Sequence, residues 1–447
     1  MDIKQVARWR KRKPTTSEYG TSDRWFVLFF LALNYFVLVL HRNVIYFVQP
    51  PLKLELDISD AHIGLLDTAF VVPYALSQLY VGHMGDRFDR RKILLLSLTG
   101  SVVALAGLGL SGSFTMLVSL RFLLGMSQAA SVPAIASVMG DCFTSRGRST
   151  AVAVYLVSQQ VANIASGTLS GEIADIPSWD VGVNMFGLQI VSVSGWRMAM
   201  FVFSLVGAVV VLAVYLFLRE PARTDREVGE GLGLQGGTWW KTTKDVLSVR
   251  SYWVVGIVFV LIGMTSGARE TWLARHFYDT LGMDLGEAGL FSTVYFQSGA
   301  IVGLLFGGPW ADRRASRRRS GRMAVQAIGL VLMGPAFIVL GTSSFQPVLA
   351  VAMTTIGVGY GFYVANLWTA TFDIVDPAAR ATSMAFLNVI SLLGAPFAPL
   401  VGYGLDRNMF NLGQVFTGMS LLVTLAFILL IWTMVRLLPR DYRGPAK

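Results

Sequence analysis

Gly82-His83-Met84-Gly85-Asp86-Arg87-Phe88-Asp89-Arg90-Arg91-Lys92 separates two apolar runs, residues 61–83 and 92–112. Each run is long enough to cross a bilayer core, which takes about 20 residues of helix. The polar stretch between them reads as a short, strongly basic hairpin on one membrane face. A second copy stands after the apolar run 287–311, as Gly308-Pro309-Trp310-Ala311-Asp312-Arg313-Arg314. Two ordinary basic loops would account for the arginines. They would not account for Gly-x-x-x-Asp-Arg in the same register at the same place in each half. Such a repeat marks an internal duplication, a common device in transporter folds. The glycine permits close helix approach, the aspartate can pair with an arginine or a helix N-terminus, and the arginines hold the loop against an anionic leaflet.

Working outward, apolar runs of this length recur along the chain. Charged residues are 14% of the 447 and apolar residues 54%. A soluble domain carries about a quarter charged residues, so the charge deficit decides the class. The mean hydropathy is +0.57. The runs predict helices at 25–49, 61–83, 92–112, 114–141, 148–172 and 197–218, then 252–279, 287–311, 322–342, 346–374, 381–405 and 412–438. The predicted fold is therefore an all-α membrane protein of twelve transmembrane helices in two pseudo-symmetric six-helix bundles. Residues 1–218 form the first bundle with its basic N-terminus, 219–250 a polar linker, and 251–447 the second bundle with a short tail. Trp239-Trp240-Lys241 in the linker suits a segment lying flat at headgroup level. The 173–195 connection, with Pro177, Trp179 and Gly182, reads as an outward insertion.

Charge distribution orients the chain. Lys4 to Lys13, Arg87/Arg90/Arg91/Lys92, Arg146/Arg148, the Arg219–Arg250 stretch, Arg313 to Arg322, Arg380 and Arg436/Arg440/Arg443 fall on one side. Glu55, Asp57, Asp60, Asp175, Asp180, Asp279, Asp284 and Glu287 fall on the other. The positive-inside rule then puts both termini in the cytoplasm. The same rule explains the net charge of +10 without nucleic acid. The absence of any glycosylation sequon favours a bacterial inner membrane. One cysteine, Cys142, and four scattered histidines leave no disulfide and no metal-ligand spacing. No phosphate loop, nucleotide fingerprint or zinc motif is present, so neither an enzyme nor a bound cofactor is expected.

The 82–92 motif closely resembles the cytoplasmic signature of the major facilitator superfamily, Gly-x-x-x-Asp-Arg-x-x-Arg-Arg/Lys. Arg121-x-x-x-Gly125, Arg146-Gly147-Arg148 and Gly195-Trp196-Arg197 match further points of that family. The resemblance implies alternating access, with Gly82, Asp86, Arg87, Arg91, Asp312 and Arg313 as cytoplasmic gating contacts. Within the family, Asn366-Leu-Trp368, Asp373, Arg380 and Gly394-Ala-Pro396 are similar to the spinster-like branch. Asn34-Tyr35 with Arg42, and the 64–78 stretch, resemble the anion:cation symporters. Arg42 with Arg269 resembles the paired arginines of organophosphate exchangers. Two departures stand out. The acidic residue that relatives carry before the first-helix arginine is His41 here, and the fourth-helix Gly-Glu pair is Ser127-Gln128. Both carboxylates that the resemblance associates with proton coupling are thus missing here, so the resemblance does not by itself imply the relatives' proton mechanism.

An ionisable side chain at bilayer depth costs about 2.5–3.5 kcal/mol on insertion scales, so it faces a cavity or a partner. Arg42 is the candidate anion anchor, since a guanidinium offers a carboxylate or phosphate two parallel donors. An arginine satisfied by helix carbonyls is the alternative. Arg269 is the candidate second anchor. Glu270 is either a proton carrier or simply the charge partner of Arg269. His41 either titrates or only hydrogen-bonds, and Arg121 serves coupling or braces the fold. Tyr46, Tyr74, Gln159, Tyr295 and Asn366 are candidate cavity residues. The expected activity is carriage of a small organic anion, carboxylate or phosphate ester, by a monomer with a proton or sodium ion as coupling ion. A carrier of an amphipathic lipid and a transporter-like membrane sensor stand as alternatives.

Overall fold

The computed structural model of the chain describes residues 21–84, 89–143, 145–176, 178–181, 191–218, 238–376 and 379–443. The N-terminal basic cluster, Asp86, Arg87, most of the linker and the last four residues lie outside them. Side chains around Gly82 and Arg146/Arg148, and those of Trp239 and Trp240, are likewise outside the description.

The chain is built almost wholly of helices. In the first part these are α1 (Thr21–Phe47), α2 (Gln49–Leu56), α3 (Asp60–Met84), α4 (Arg90–Leu110), α5 (Phe114–Gln128), α6 (Ser131–Cys142), α7 (Ser145–Ala174) and α8 (Gly195–Phe217). A short helix α9 (Thr238–Ser248) precedes α10 (Arg250–Leu281), α11 (Leu285–Ala315), α12 (Gly321–Thr342) and α13 (Gln346–Phe372). The chain closes with α14 (Arg380–Ser391), α15 (Phe397–Asp406), α16 (Leu412–Trp432) and α17 (Leu438–Asp441). Ten segments among the described residues have the length and hydropathy to cross a membrane. Helices α3 and α7, of 25 and 30 residues, are less apolar but also long enough, at about 1.5 Å of rise per residue.

Three predicted helices are interrupted, each for a local reason. The 114–141 run breaks at Ala129–Ala130, where Pro133 has no N–H to return to the carbonyl of Ala129. The 381–405 run breaks ahead of Pro396, and Ala395 N–H turns back instead to Leu392 O at 3.0 Å in a tighter turn. The 25–49 run ends at Phe47, and the Pro50-Pro51 pair starts α2 in its first turn, where a missing N–H costs nothing. The 173–195 connection holds one antiparallel ladder, β1 (Ser178–Val181) on β2 (Val191–Ser194), pairing Ser178 with Ser194 and Val181 with Val191.

Caps fix several helix starts. Asp89 accepts from Lys92 N–H at 3.2 Å and Ser113 from Met116 N–H at 3.3 Å. Asn411 and Gln414 form a reciprocal capping box, both bonds 2.9 Å. Arg197 closes the far end of α4, donating to Gly109 O at 2.8 Å and Ser111 O at 2.7 Å. A cation there meets the negative end of the helix dipole.

The helices group into two compact units. The first comprises Met1–Val44, Val72–Ser166 and Ile176–Gly233, the second Ile45–Val71, Gly167–Asp175 and Leu234–Lys447. In the first, Leu28, Leu31, Leu38, Leu94, Leu98, Ile135 and Val214 form a continuous core. Large apolar side chains such as Leu205, Val209 and Leu212 on α8 point outward. An apolar exterior over a packed interior is what a bilayer solvent requires. In the second unit α11 and α13 meet through glycines: a Cβ on Gly303 would collide with Gly361, and one on Gly361 with Ala300 and Gly303. Backbones in van der Waals contact replace the hydrophobic drive that lipid does not supply.

Candidate functional site

In the first unit the helix α1 carries His41, Arg42 and Asn43 in succession, which the 100° step of a helix turns toward three directions. His41 is fully buried. Its Nε2 lies 2.9 Å from Phe203 O, and its Nδ1 2.9 Å from Ser101 Oγ. A carbonyl only accepts, so Nε2 carries the proton and Nδ1 is left to accept from Ser101. Gln128 completes the circuit, donating to Ser101 Oγ at 2.9 Å and to Leu38 O at 3.1 Å. Gly207 leaves room for the ring, since a Cβ there would sit 2.5 Å from His41 Cε1. His41 thus has both nitrogens engaged in a brace joining α1, α4 and α8, and Gln128 on α5 is tied to the same hydroxyl.

Arg42 is half-buried. Its charge acts on Tyr74 and Tyr155, and Tyr74 in turn lies in reach of Tyr35. Tyr35 and Tyr155 stack with ring centroids 4.5 Å apart. One arginine thus stands among three phenols from α1, α3 and α7. Arg121 is 0% exposed and donates to Arg42 O at 2.9 Å, so it supports the backbone that presents Arg42. On the next face Asn43 donates to Asn163 Oδ1 at 2.7 Å, and Asn163 reaches Gln160 at 3.4 Å. Gln159 is half-buried beside this chain of amides.

In the second unit Arg269 lies on α10, buried, with its guanidinium carbon 3.6 Å from the centre of the Phe296 ring. That is a cation–π stack in a desolvated place. Its Nη2 stands 3.1 Å from Glu270 Oε1, and the glutamate side chain is 47% exposed against 7% for the arginine. The guanidinium is thereby held flat by a ring and paired with a carboxylate that solvent reaches. Tyr360 is within electrostatic reach, and Tyr295, half-buried on α11, packs edge-on to Phe291 at 5.0 Å. Asn366 is buried and donates to Phe362 O at 2.9 Å and Gly307 O at 3.3 Å. Its amide N–H groups hold α13 to α11. Tyr46 donates its hydroxyl to Asp67, a buried carboxylate on α3.

Of the gating positions, Arg91 donates to Tyr215 O with its guanidinium 5.8 Å from that ring. Arg313 is exposed at the end of α11, and Asp312 accepts from Arg322 at 3.2 Å. Arg322 also donates to Asp373 at 2.6 Å. In the first unit Arg90 pairs with Asp141, with Ser137 Oγ 3.0 Å away. Arg90 at the start of α4 thus meets Asp141 at the end of α6, Arg322 at the start of α12 meets Asp373 at the end of α13, and both pairs span 51 residues. Asp141 escaped the sequence reading. The signal was available, because Asp141 and Asp373 stand in register once the two halves are aligned on Arg90 and Arg322.

A chain with a repeated Gly-x-x-x-Asp-Arg motif and arginines inside its spans matches one family model, the Major Facilitator Superfamily, over residues 31–399 and 257–446. The chain belongs to the major facilitator superfamily. It is therefore a membrane transporter by family and fold and not an enzyme. The chain is 26% identical over 400 residues to a probable sulfoacetate transporter of Cupriavidus necator, covering 86% of this chain and 88% of that one. It is 24% identical over 435 residues to a probable galactarate/D-glucarate transporter of Bacillus subtilis, covering 92% of each. A sphingosine-1-phosphate transporter of Xenopus tropicalis is 23% identical over 400 residues, covering 83% of this chain and 71% of that protein. Among solved structures, a bacterial homolog of the human lysosomal transporter spinster superposes with a TM-score of 0.81 at 20% identity, covering 96% of this chain and all of that one.

Proposed function

We propose that this superfamily member is a secondary active transporter of a small organic anion, with Arg42 and Arg269 as its anchors. The observation that carries the reading is the setting of Arg269. A guanidinium stacked on Phe296 and paired with the half-exposed Glu270 can exchange that partner for an incoming carboxylate, sulfonate or phosphate. Arg offers such groups two parallel donors in fixed geometry. Arg42 is the counterpart in the first half, its backbone steadied by Arg121 and its surroundings furnished with phenol donors. Relatives named for sulfoacetate and for galactarate/D-glucarate handle multiply oxygenated anions, which suits two arginines.

In this reading twelve spans alternate access between the two sides of a bacterial inner membrane, both termini are cytoplasmic, and the protein works as a monomer. Glu270 is the coupling candidate, because a proton on it frees Arg269 for the anion. His41 and Asn366 act as braces, and Tyr46, Tyr74, Gln159 and Tyr295 are the remaining cavity candidates. A second reading, carriage of an anionic amphipathic lipid, is favoured by the sphingosine-1-phosphate relative and uses the same arginines for its headgroup.

Uptake of labelled organic anions into proteoliposomes separates the readings. Saturable uptake of short sulfonates or sugar diacids, unaffected by lysolipid, supports the first. Inhibition by lysolipid phosphates with no uptake of short anions supports the second.

A further inference from the structure

A second repeated pattern lies at the ends of the helices away from the basic connections. Helix α7 closes with Gly171-Glu172-Ile173-Ala174-Asp175, and α15 with Gly402-Tyr403-Gly404-Leu405-Asp406. Each aspartate reaches the N-terminus of a helix far away in sequence. Asp175 accepts from Leu285 N–H at 2.9 Å on one oxygen and from Gly286 N–H at 2.8 Å on the other. Asp406 accepts from Asp60 N–H at 2.8 Å and Ala61 N–H at 2.9 Å in the same two-pronged way. Each fork satisfies two of the four amide donors a helix leaves unpaired at its start. It also sets a negative charge against the positive end of the dipole.

The glycine one turn earlier completes each contact. A Cβ on Gly171 would run into the backbone of Leu285 and Gly286, and one on Gly402 into the backbone of Asp60 and Ala61. Further along, Gly167 lies against Gly289, and Gly64 against Ala398 and Pro399. The two contacts therefore match residue by residue, donor for donor. Asp284, standing at the N-cap of α11, makes no side-chain cap bond of its own. At α11 the cap comes from outside, whereas α3 also has Ser59 accepting from His62 N–H at 3.4 Å.

We propose that Asp175 and Asp406 are a matched pair of latches in the transport cycle. They hold the starts of α11 and α3 in the state described here and let go when that face opens. A cap supplied by a helix's own N-cap residue would survive such a movement, whereas a cap lent by another helix breaks with it. Loss of the latch thus changes the balance between states and not only the stability of one helix. The pair is not equally braced. At the Asp406 latch, Asp60 also takes Lys53 and Arg275, and Arg275 reaches Asp279 at 3.1 Å. The proposal rests on the alternating-access reading but not on the identity of the anion.

The test is a distance measurement by pulsed electron resonance in the full chain. Cys142 is replaced by alanine and spin labels are placed on cysteines at the exposed positions Leu54 and Met409. In detergent or nanodiscs without substrate, Asp175→Asn and Asp406→Asn should each raise the long-distance population. A cap change is worth roughly a fivefold shift, with Asp175→Asn the larger because ion pairs at Asp60 survive Asp406→Asn. Asn411→Ala removes a cap internal to one helix and should leave the distribution unchanged. Should one of the two variants fail to fold, the other carries the same reading. Unchanged distributions in both single variants, or an equal shift from Asn411→Ala, overturn the latch. Because no substrate is present, a wrong anion assignment leaves this result untouched.

Discussion

The arginines of the two halves occupy corresponding helices in very different company. Arg42 is half-buried among phenols, with Arg121 tied to its own carbonyl. Arg269 is buried against an aromatic face, and its carboxylate partner is its neighbour in sequence. Among the described contacts, the first guanidinium stands with Tyr35, Tyr74 and Tyr155, and the second between the Phe296 ring and Glu270. The difference teaches that one position of a repeated helix can be furnished with phenols in one half and with a ring and a carboxylate in the other.

The largest expected effects come from breaking that comparison outright. Arg269→Ala and Arg42→Ala should each lower initial uptake in proteoliposomes by about a hundredfold or more, the scale of losing a desolvated charge-assisted contact of about 3 kcal/mol. Arg269→Lys should recover little, since a lysine keeps the charge but loses the planar stack and the two-pronged donor set. Recovery of full activity by lysine would reduce Arg269 to a point charge.

The next effect concerns the two matched ion pairs. Asp141→Ala removes the carboxylate from a pair whose side chains are 2% and 3% exposed, and breaking a buried pair costs about 3–5 kcal/mol. Asp373→Ala should cost clearly less, because Arg322 is 25% exposed and keeps Asp312 as a second partner. Melting of the purified variants checks the order. Equal losses would mean that the halves are braced alike.

A smaller effect follows from His41. His41→Ala opens the Ser101–Gln128–Phe203 circuit and should destabilise by about 1–3 kcal/mol for unsatisfied buried groups, visible as lowered melting. The pH profile of transport should stay in place, because a brace does not set it. Glu270→Gln takes the carboxylate away from the buried Arg269 guanidinium and should lower melting too, by more than the roughly 0.5 kcal/mol of an ordinary exposed position. It should flatten the pH dependence of uptake while exchange of anion across the membrane continues. A pH profile that moves with His41 and ignores Glu270 would invert the assignment.

Much of this architecture was legible in residue order. The Gly-x-x-x-Asp-Arg register at 82 and 308, and the apolar runs between charged connections, announced the duplicated helical fold. Breaks at Pro133 and Pro396 were not read from hydropathy, because a window average passes over a single missing N–H. At the site, Arg42 and Arg269 stood out because charge inside an apolar run is costly. The neutral partners did not stand out. Whether Asn366 faces a cavity or holds two carbonyls depends on side-chain direction across helices, which periodicity does not fix. The Gly-x-x-x-Asp endings at 171 and 402 were as visible as the basic motif, but no charge excess drew the eye to them. Asp67, near the start of an apolar run, carries no mark in the sequence of its burial or of the Tyr46 hydroxyl it accepts from.

The account stands most directly on anion binding by purified protein. Calorimetric titration with a panel of short sulfonates, sugar diacids and phosphate esters should give a saturable isotherm for at least one class. The isotherm should disappear in Arg42→Gln and in Arg269→Gln taken singly, with both variants melting cooperatively. An isotherm that survives unchanged in either variant would contradict a two-arginine grip on the transported anion.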